Sequence, residues 1–463
     1  MKSKKVIAFL MATMMTVPMF SACFGLGGSG GNSGSGSSSG GGDDVTVNLN
    51  VDKNIEAEIS ILIPGGNENE QTMINCLIDD FCEEYPNVTI TKSFVTVGSY
   101  DNTVRSLAAS GNLDDIIWSN SPDFYYCVAK DYVQNLNPYI EASEEAGVFN
   151  VEEDFYKEFF DCGTLNGNLY CIPRSADSVV TFYNKEILAN AGVDMATVVN
   201  GWTWDTFMDA CAKVRTWMDN NNKSNHYVLD ANLTTWLSVC YPMLVSYGAD
   251  VLNEKGEVVL DSDATRTCLE MVREMVDKRY ICDSTNSSGS SFESGTSAFL
   301  FQSASVSHYA NRKTLKGKMD IVSFPLIQDN NTPKIGSGIA GYCISKFSEN
   351  KDLCWQFLTY LLSYDGQQRM GENGLNLASI RKDLSDYTKA NWGKGYETLN
   401  LSAYLYGSEY KLDASFLSRA PIEAKPDITT AITDLFANVS NPNKDLADCL
   451  STAIDDINDA LDV

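Results

Sequence analysis

A chain of 463 residues and 50.9 kDa is longer than one hydrophobic core usually serves, so two lobes are expected. With 44% hydrophobic and 21% charged residues, the composition is globular, which excludes disorder over most of the chain and makes any low-complexity stretch local. Lys and Arg number 34 against 61 Asp and Glu, a formal net charge of −27, and that balance argues against nucleic-acid binding or electrostatic adsorption to anionic membranes.

Lys2, Lys4 and Lys5 precede an almost uncharged apolar stretch, Val6 to Phe20, the length of a signal-peptide core and too short for a confident membrane span. The segment closes on Phe20-Ser21-Ala22-Cys23, which resembles the lipobox of bacterial lipoproteins, with Cys23 as the lipid-bearing residue; an ordinary cleavable signal with a chance Cys is the alternative. Residues 24–42 are nearly all Gly, Ser and Asn, a flexible tether that can bury nothing. Residues 1–22 are therefore expected to be removed and 23–43 to form anchor and tether. Cleavage takes three lysines with it and moves the charge from −27 to −30. The expected location is extracytoplasmic, on the cell membrane through the lipid alone.

The folded part starts near Asp44. Ala57 to Ile63 reads as a strand ending at Pro64-Gly65-Gly66. Met73, Ile74, Leu77, Ile78, Phe81 and Tyr85 follow a helical period, stopped by Pro86-Asn87 before the strand Val88-Thr89-Ile90. Another helix ends at Ser110-Gly111-Asn112, and Leu113 to Trp118 enters a buried strand. Amphipathic helices are expected over Thr206 to Met218, Thr265 to Val276 and Lys351 to Leu362. This alternation predicts an α/β protein with mostly parallel sheets covered by helices, most simply as two lobes facing each other across a cleft at the carboxyl ends of their strands.

Chemistry is sparse. His226 and His308 are the only histidines, so histidine metal sites and Ser-His-Asp triads lack material, and no metal or cofactor is expected. Gly336 to Gly341 fits G-x-G-x-x-G, but Tyr342 to Ser345 reads as a strand where a dinucleotide fold needs a helix; these glycines instead suit a crossing between lobes or a close backbone approach. Carboxylate pairs such as Glu83-Glu84 read as solvated faces, and a glycosidase pair would be invisible in sequence. Twelve cysteines remain after Cys23, scattered singly without C-x-x-C. They read as small buried hydrophobes, with Cys162 and Cys171, flanking the turn Leu165-Asn166-Gly167, as the best disulfide pair if one forms.

Several blocks together resemble the extracellular solute-binding proteins of bacterial ABC importers, in the large sugar-binding family that includes maltose-binding protein. The most specific are Gly167-Asn168-Leu169-Tyr170-Cys171-Ile172-Pro173, Phe182-Tyr183-Asn184-Lys185, Ala191-Gly192 and Trp202-Thr203-Trp204-Asp205-Thr206-Phe207. Supporting blocks are Ala109-Ser110-Gly111 with Asp115-Ile116-Ile117, Gly295 to Phe299, Ser323-Phe324-Pro325, Trp355 to Leu358 and Asp365-Gly366-Gln367. They run in family order over about 350 residues. Departures are Asp114, where the family usually has Pro, and Arg174 and Thr181 at positions normally apolar.

The resemblance implies a two-lobed periplasmic-binding-protein-like fold with a hinge and an interlobe cleft. It places lobe one at 45–173 plus 340–377 and lobe two at 178–335 plus 378–463, with crossings near 172–178, 334–342 and 376–380. It implies a non-enzymatic monomer that captures a carbohydrate, an oligosaccharide, and delivers it to ABC permease subunits. A peptide, polyamine or other nutrient is the alternative ligand, and a secreted glycan hydrolase the rival class. A sugar needs aromatic platforms for its C–H faces and carboxylates, amides or hydroxyls for its rim. The candidate ligand residues are Asn67 and Glu68 after the first strand, Ser119 and Asp123 after the strand ending at Trp118, and Asp177 at the first crossing. Ser303 and Ser305 follow Phe301, and Trp236, Tyr309, Tyr342 and Trp392 are the stacking candidates.

Overall fold

The computed structural model describes residues 46–65, 68–120, 123–230, 236–282, 291–328, 332–373, 377–386 and 392–462. Cys23, the signal-like segment, the Gly/Ser run and Asn67 lie outside them. In chain order the strands are β1 Ala57–Gly65, β2 Val88–Thr96, β3 Ile116–Asn120, β4 Thr164–Leu165, β5 Asn168–Leu169, β6 Ile172–Pro173 and β7 Val180–Asn184. β8 Leu229–Asp230, β9 Phe299–Gln302, β10 Met319–Ser323, β11 Ile335–Gly336, β12 Ala340–Ile344 and β13 Lys411–Leu412 complete the set.

Two main sheets form, with strand orders β2-β1-β3-β12-β6 and β10-β7-β9-β8. β1 is parallel to β2 and β3, and β8 to β9, whereas β12 is antiparallel to both neighbours and β7 to both of its own. The expectation of mostly parallel sheets is thus corrected to mixed ones. The chain leaves the first sheet at Pro173, enters the second at Val180, leaves it at Ser323 and returns at Ala340. A strand that returns from the neighbouring sheet enters at the carboxyl end of β3 and has to run against it. β11 and β13, paired parallel, lie in the connecting region.

The helices form where the periodicity placed them, usually longer by a cap or a turn. Helix Glu68–Glu84 covers the period at Met73 to Phe81, and Trp204–Asn220 begins where the Thr203 hydroxyl accepts from the Thr206 N–H at 3.2 Å. Helix Asp263–Asp277 starts at Ser262, whose hydroxyl accepts from the Thr265 N–H at 3.1 Å, replacing a bond the helix cannot supply to its first N–H groups. Helix Lys351–Leu362 buries Leu353, Trp355, Phe357, Leu358, Leu361 and Leu362, and the Trp355 indole donates to Ser143 Oγ at 3.0 Å.

After helix Tyr364–Glu372 the chain passes beside the first crossing, where Ala378 O accepts from the Ala176 N–H at 2.9 Å. It then reaches elements that pack with the second sheet: the Asn400 N–H donates to Asp320 Oδ1 at 2.8 Å, and Tyr404 Oη to Ala304 O at 2.6 Å. Helices Lys425–Val439 and Leu446–Leu461 close the fold, held to helix Asp263–Asp277 by Arg273 Nε on Val439 O at 2.8 Å.

Two glycines of the G-x-G-x-x-G run are explained by crowding. A Cβ on Gly341 would sit 2.0 Å from Ile172 O, and one on Gly336 1.7 Å from Ser238 O, so both mark close backbone approach where the segments cross. Thr181, one of the departures, is fully buried in β7 with Oγ1 3.4 Å from Ser323 O. Its hydroxyl is satisfied inside the second sheet, so an apolar residue is not required there.

Candidate ligand site

The polar groups of interest gather where β3, β6 and β12 end. Register sets Ser119 opposite Gly341 and Gly341 opposite Pro173. The next row outward holds Asn120 and Ala340, with the Arg174 N–H donating to Ala340 O at 3.1 Å. Arg174 is buried, and its guanidinium lies 5.9 Å from the centre of the half-buried Trp118 ring, a contact that combines cation–π attraction with apolar cover. Tyr100 meets Trp118 edge-on at 5.9 Å and donates its hydroxyl hydrogen bonds to Leu62 O and Trp118 O at 3.0 and 2.8 Å. The carbonyl of Arg174 is held by Gln367 Nε2 at 3.0 Å, and Gln367 Oε1 accepts from Ser379 Oγ at 2.7 Å. The first crossing is therefore pinned on both sides.

Ser119 Oγ, Ser175 Oγ and Trp118 Nε1 are buried and have no hydrogen-bond partner among the described residues. Leaving such a group unsatisfied costs about 1 to 3 kcal/mol each, so the two serine hydroxyls, which donate and accept, and the Trp118 N–H, which donates, are each suited to a hydrogen bond with a group outside the chain.

Asp177 lies on the first crossing. Burial raises its carboxyl above the usual carboxylate range, while a hydrogen bond from the Ser303 hydroxyl and the positive charges of Arg174 and Lys411 act the other way. A Cβ on Gly338 would come 3.2 Å from Asp177 Oδ2, so glycine keeps that side of the carboxylate open. The Asp177 carbonyl accepts from Ser337 Oγ at 2.5 Å. Lys411 bonds Ser178 Oγ and Tyr406 O. Burial pushes its ammonium down to about 7, opposed by Cys162, Asp177, Glu409 and Glu158.

Behind this crossing lies a cavity of 310 Å³ lined by Tyr125, Cys162, Lys411 and Asp413 among others. Tyr125 Oη donates to Asp413 Oδ2 at 3.2 Å across it, and Lys425 lies 5.1 Å over the Tyr125 ring.

The sequence candidates divide. Asp177 and Ser303 meet through a hydrogen bond, while Ser119 lies in β3 opposite Gly341. Glu68 opens the helix just past β1 and Asp123 the helix just past β3. Trp236 is half-buried at the start of helix Leu237–Ser246 and packs against the core. Ser305 caps helix Val306–Ala310, accepting from the Ser307 N–H at 3.4 Å.

Three stacking candidates lie in cores rather than on an open wall. Tyr309 packs on Phe182 and Phe292 at 4.8 and 5.8 Å. Tyr342 is fully buried in the middle of β12, and Trp392 lies so close to Gly371 that a Cβ there would be 2.6 Å from its ring. Each follows or ends a glycine or helix signal that resembles an opening in one dimension but is roofed by distant segments. His308 is exposed and 3.3 Å from Glu293.

Sequence reading missed Trp118, Ser175 and Lys411 and took Arg174 only as a departure. Ser175 and Arg174 sit inside the expected crossing 172–178 and were within reach. Lys411 arrives from more than 230 residues downstream and carried no local signal.

The family profile of bacterial extracellular solute-binding proteins matches residues 77–396. This chain belongs to that family. The binding protein is 23% identical over 268 residues to an arabinooligosaccharide-binding protein of Halalkalibacterium halodurans, covering 56% of this chain and 55% of that one. It is 23% identical over 299 residues to one of Bacillus subtilis, covering 61% and 64%. Its matches therefore span roughly half to two thirds of the length of these curated relatives. Its fold is similar to that of an ABC substrate-binding protein from Listeria monocytogenes solved in complex with cycloalternan, with TM-score 0.69, 17% identity, and coverage of 88% of this chain and 100% of that one. The binding protein thus has a two-lobed α/β fold.

Proposed function

We propose that this chain captures an oligosaccharide between its lobes and delivers it to the permease subunits of an ABC importer, without chemical turnover. The observation that carries this reading is the set of buried polar atoms of Ser119, Ser175 and Trp118, at the end of β3 and on the first crossing, that have no hydrogen-bond partner among the described residues. Sugar hydroxyls both donate and accept, which suits such a mixed set. The curated relatives named for arabinooligosaccharides and the solved relative holding cycloalternan support the substrate class.

In this reading lobe one comprises 45–173 plus 340–377 and lobe two 178–335 plus 378–463. The connecting segments near 172–178, 334–342 and 376–380 flex. A ligand that touches both lobes only when they are shut shifts the ensemble to the closed form that the permease recognises. The ligand contacts are proposed at Ser119, Asp177 and Ser303, with Asn67 and the helix-opening Glu68 and Asp123 as further contacts. Cys23 carries lipid, Gly/Ser residues form the tether, and the protein works as a monomer outside the cytoplasm.

The test is a thermal-shift screen across arabino- and malto-oligosaccharides, cyclic glucans, peptides and polyamines, followed by calorimetry, since a specific ligand raises the melting temperature by mass action. Stabilisation by an uncleaved oligosaccharide supports the proposal. Stabilisation by a peptide or polyamine alone overturns the substrate class, and oligosaccharide cleavage overturns the carrier.

A further inference from the structure

β6 and β12 pair antiparallel, Pro173 with Gly341 and Ile172 with Tyr342. Extending that register by one residue sets Cys171 directly opposite Cys343. The Arg174 N–H donates to Ala340 O, so Arg174 and Ala340 form a hydrogen-bonded pair, and the ladder then alternates. Pro173 with Gly341 is non-hydrogen-bonded, which suits a residue without an N–H, and Ile172 with Tyr342 is hydrogen-bonded. Cys171 with Cys343 falls on a non-hydrogen-bonded pair, where α-carbons lie about 4.5 Å apart and side chains approach most closely. That separation is inside the range spanned by disulfides, about 4.4 to 6.8 Å.

Both cysteines are free and buried, and the neighbouring Cys343 thiol adds to burial in pushing the Cys171 thiol up. Cys162, the other nearby thiol, has Sγ 3.8 Å from Ser337 Oγ, on the side of the second crossing. The pair suggested by sequence, Cys162 with Cys171, lacks the directly opposed register.

We propose that Cys171 and Cys343 form a disulfide when this chain folds in the presence of a disulfide oxidant, stapling the strand that leaves the first sheet to the strand that returns to it. The Cys171 thiolate attacks one sulfur of the oxidant, giving a mixed disulfide and releasing one oxidant thiolate. The Cys343 thiolate then attacks the Cys171 sulfur and expels the second. Two electrons pass to the oxidant, and the two cysteine protons end on its two thiols. Because both sulfurs are sealed in the finished sheet, the exchange belongs to folding, before β6 and β12 are covered. The extracellular setting of the family permits such an oxidant, and the inference is independent of what the cleft binds.

The full chain is unfolded in urea, refolded in a buffer of reduced and oxidised glutathione, blocked with an alkylating agent and digested for mass spectrometry. The expected product is one linked peptide pair containing Cys171 and Cys343, two hydrogen masses below the sum of the free peptides. Its thermal midpoint should lie about 3 °C above that of the protein treated with reductant. C343S should lose both the link and the shift, and C162S should keep both; C343A serves if C343S does not fold. Alkylation of both Cys171 and Cys343 in the refolded chain, or a link from Cys171 to Cys162, overturns the proposal.

Discussion

Replacing Asp177 with Asn keeps the shape of the side chain and removes its charge. In the free protein the Asp177 carboxylate accepts from the Ser303 hydroxyl and feels the positive charges of Arg174 and Lys411, and one side is left open by Gly338. A hydrogen bond to a charged group contributes about 1.5 to 3 kcal/mol. At 1.4 kcal/mol per decade, D177N should weaken oligosaccharide binding roughly 10- to 100-fold, read by titration calorimetry with the sugar found by thermal shift. Burial raises the wild-type carboxyl, so its acceptor form is lost sooner as pH falls than that of an exposed aspartate. Affinity should therefore begin to decline on acidification already above the ordinary carboxylate range in the wild type and stay flatter in D177N. Equal affinity of the two proteins across that range would refute the placement of Asp177 in the site.

Three further outcomes follow from the geometry. The double variant S119A/S175A removes two hydroxyls without a hydrogen-bond partner among the described residues, so its unfolding free energy in urea should change by no more than about 0.5 kcal/mol while sugar affinity falls roughly tenfold; a large stability loss without an affinity change would reverse that assignment. G341A forces a Cβ within 2.0 Å of Ile172 O, which should cost about 2 to 4 kcal/mol by strand separation and lower the thermal midpoint by about 3 °C. Lys411 has a folded pKa depressed to about 7, so between that value and its unfolded value near 10.4 the unfolded chain binds more protons. Stability attributable to Lys411 therefore rises with pH across that window and reaches its lower plateau below it, and K411M should flatten the rise in urea midpoints measured on either side.

The sheet-and-helix alternation was legible because its signals are local: the apolar run Ala57 to Ile63 and the 3.6-residue period from Met73 to Phe81 each lie within one element. Strand direction was not, since β12 owes its antiparallel course to where the chain re-enters, a fact set by segments far from Tyr342. The same non-locality divides the site. Ser119 and Asp177 follow visible punctuation at the strand end and the crossing. The burial of Tyr309, Tyr342 and Trp392 depends on Phe182, β6 and Gly371, none of which neighbours them in sequence. An aromatic after a strand looks alike whether its far side meets solvent or another segment.

The first sheet takes its fourth strand from Ala340–Ile344, more than two hundred residues after β3. A nascent chain emerging from its N-terminus therefore holds β3, with Ile116, Ile117 and Trp118, as an unsealed margin until most of the polypeptide has followed, and such margins invite pairing with other chains. The second sheet draws its strands from one uninterrupted stretch, Val180 to Ser323, so of the two main sheets it is the first alone whose completion waits for distant chain.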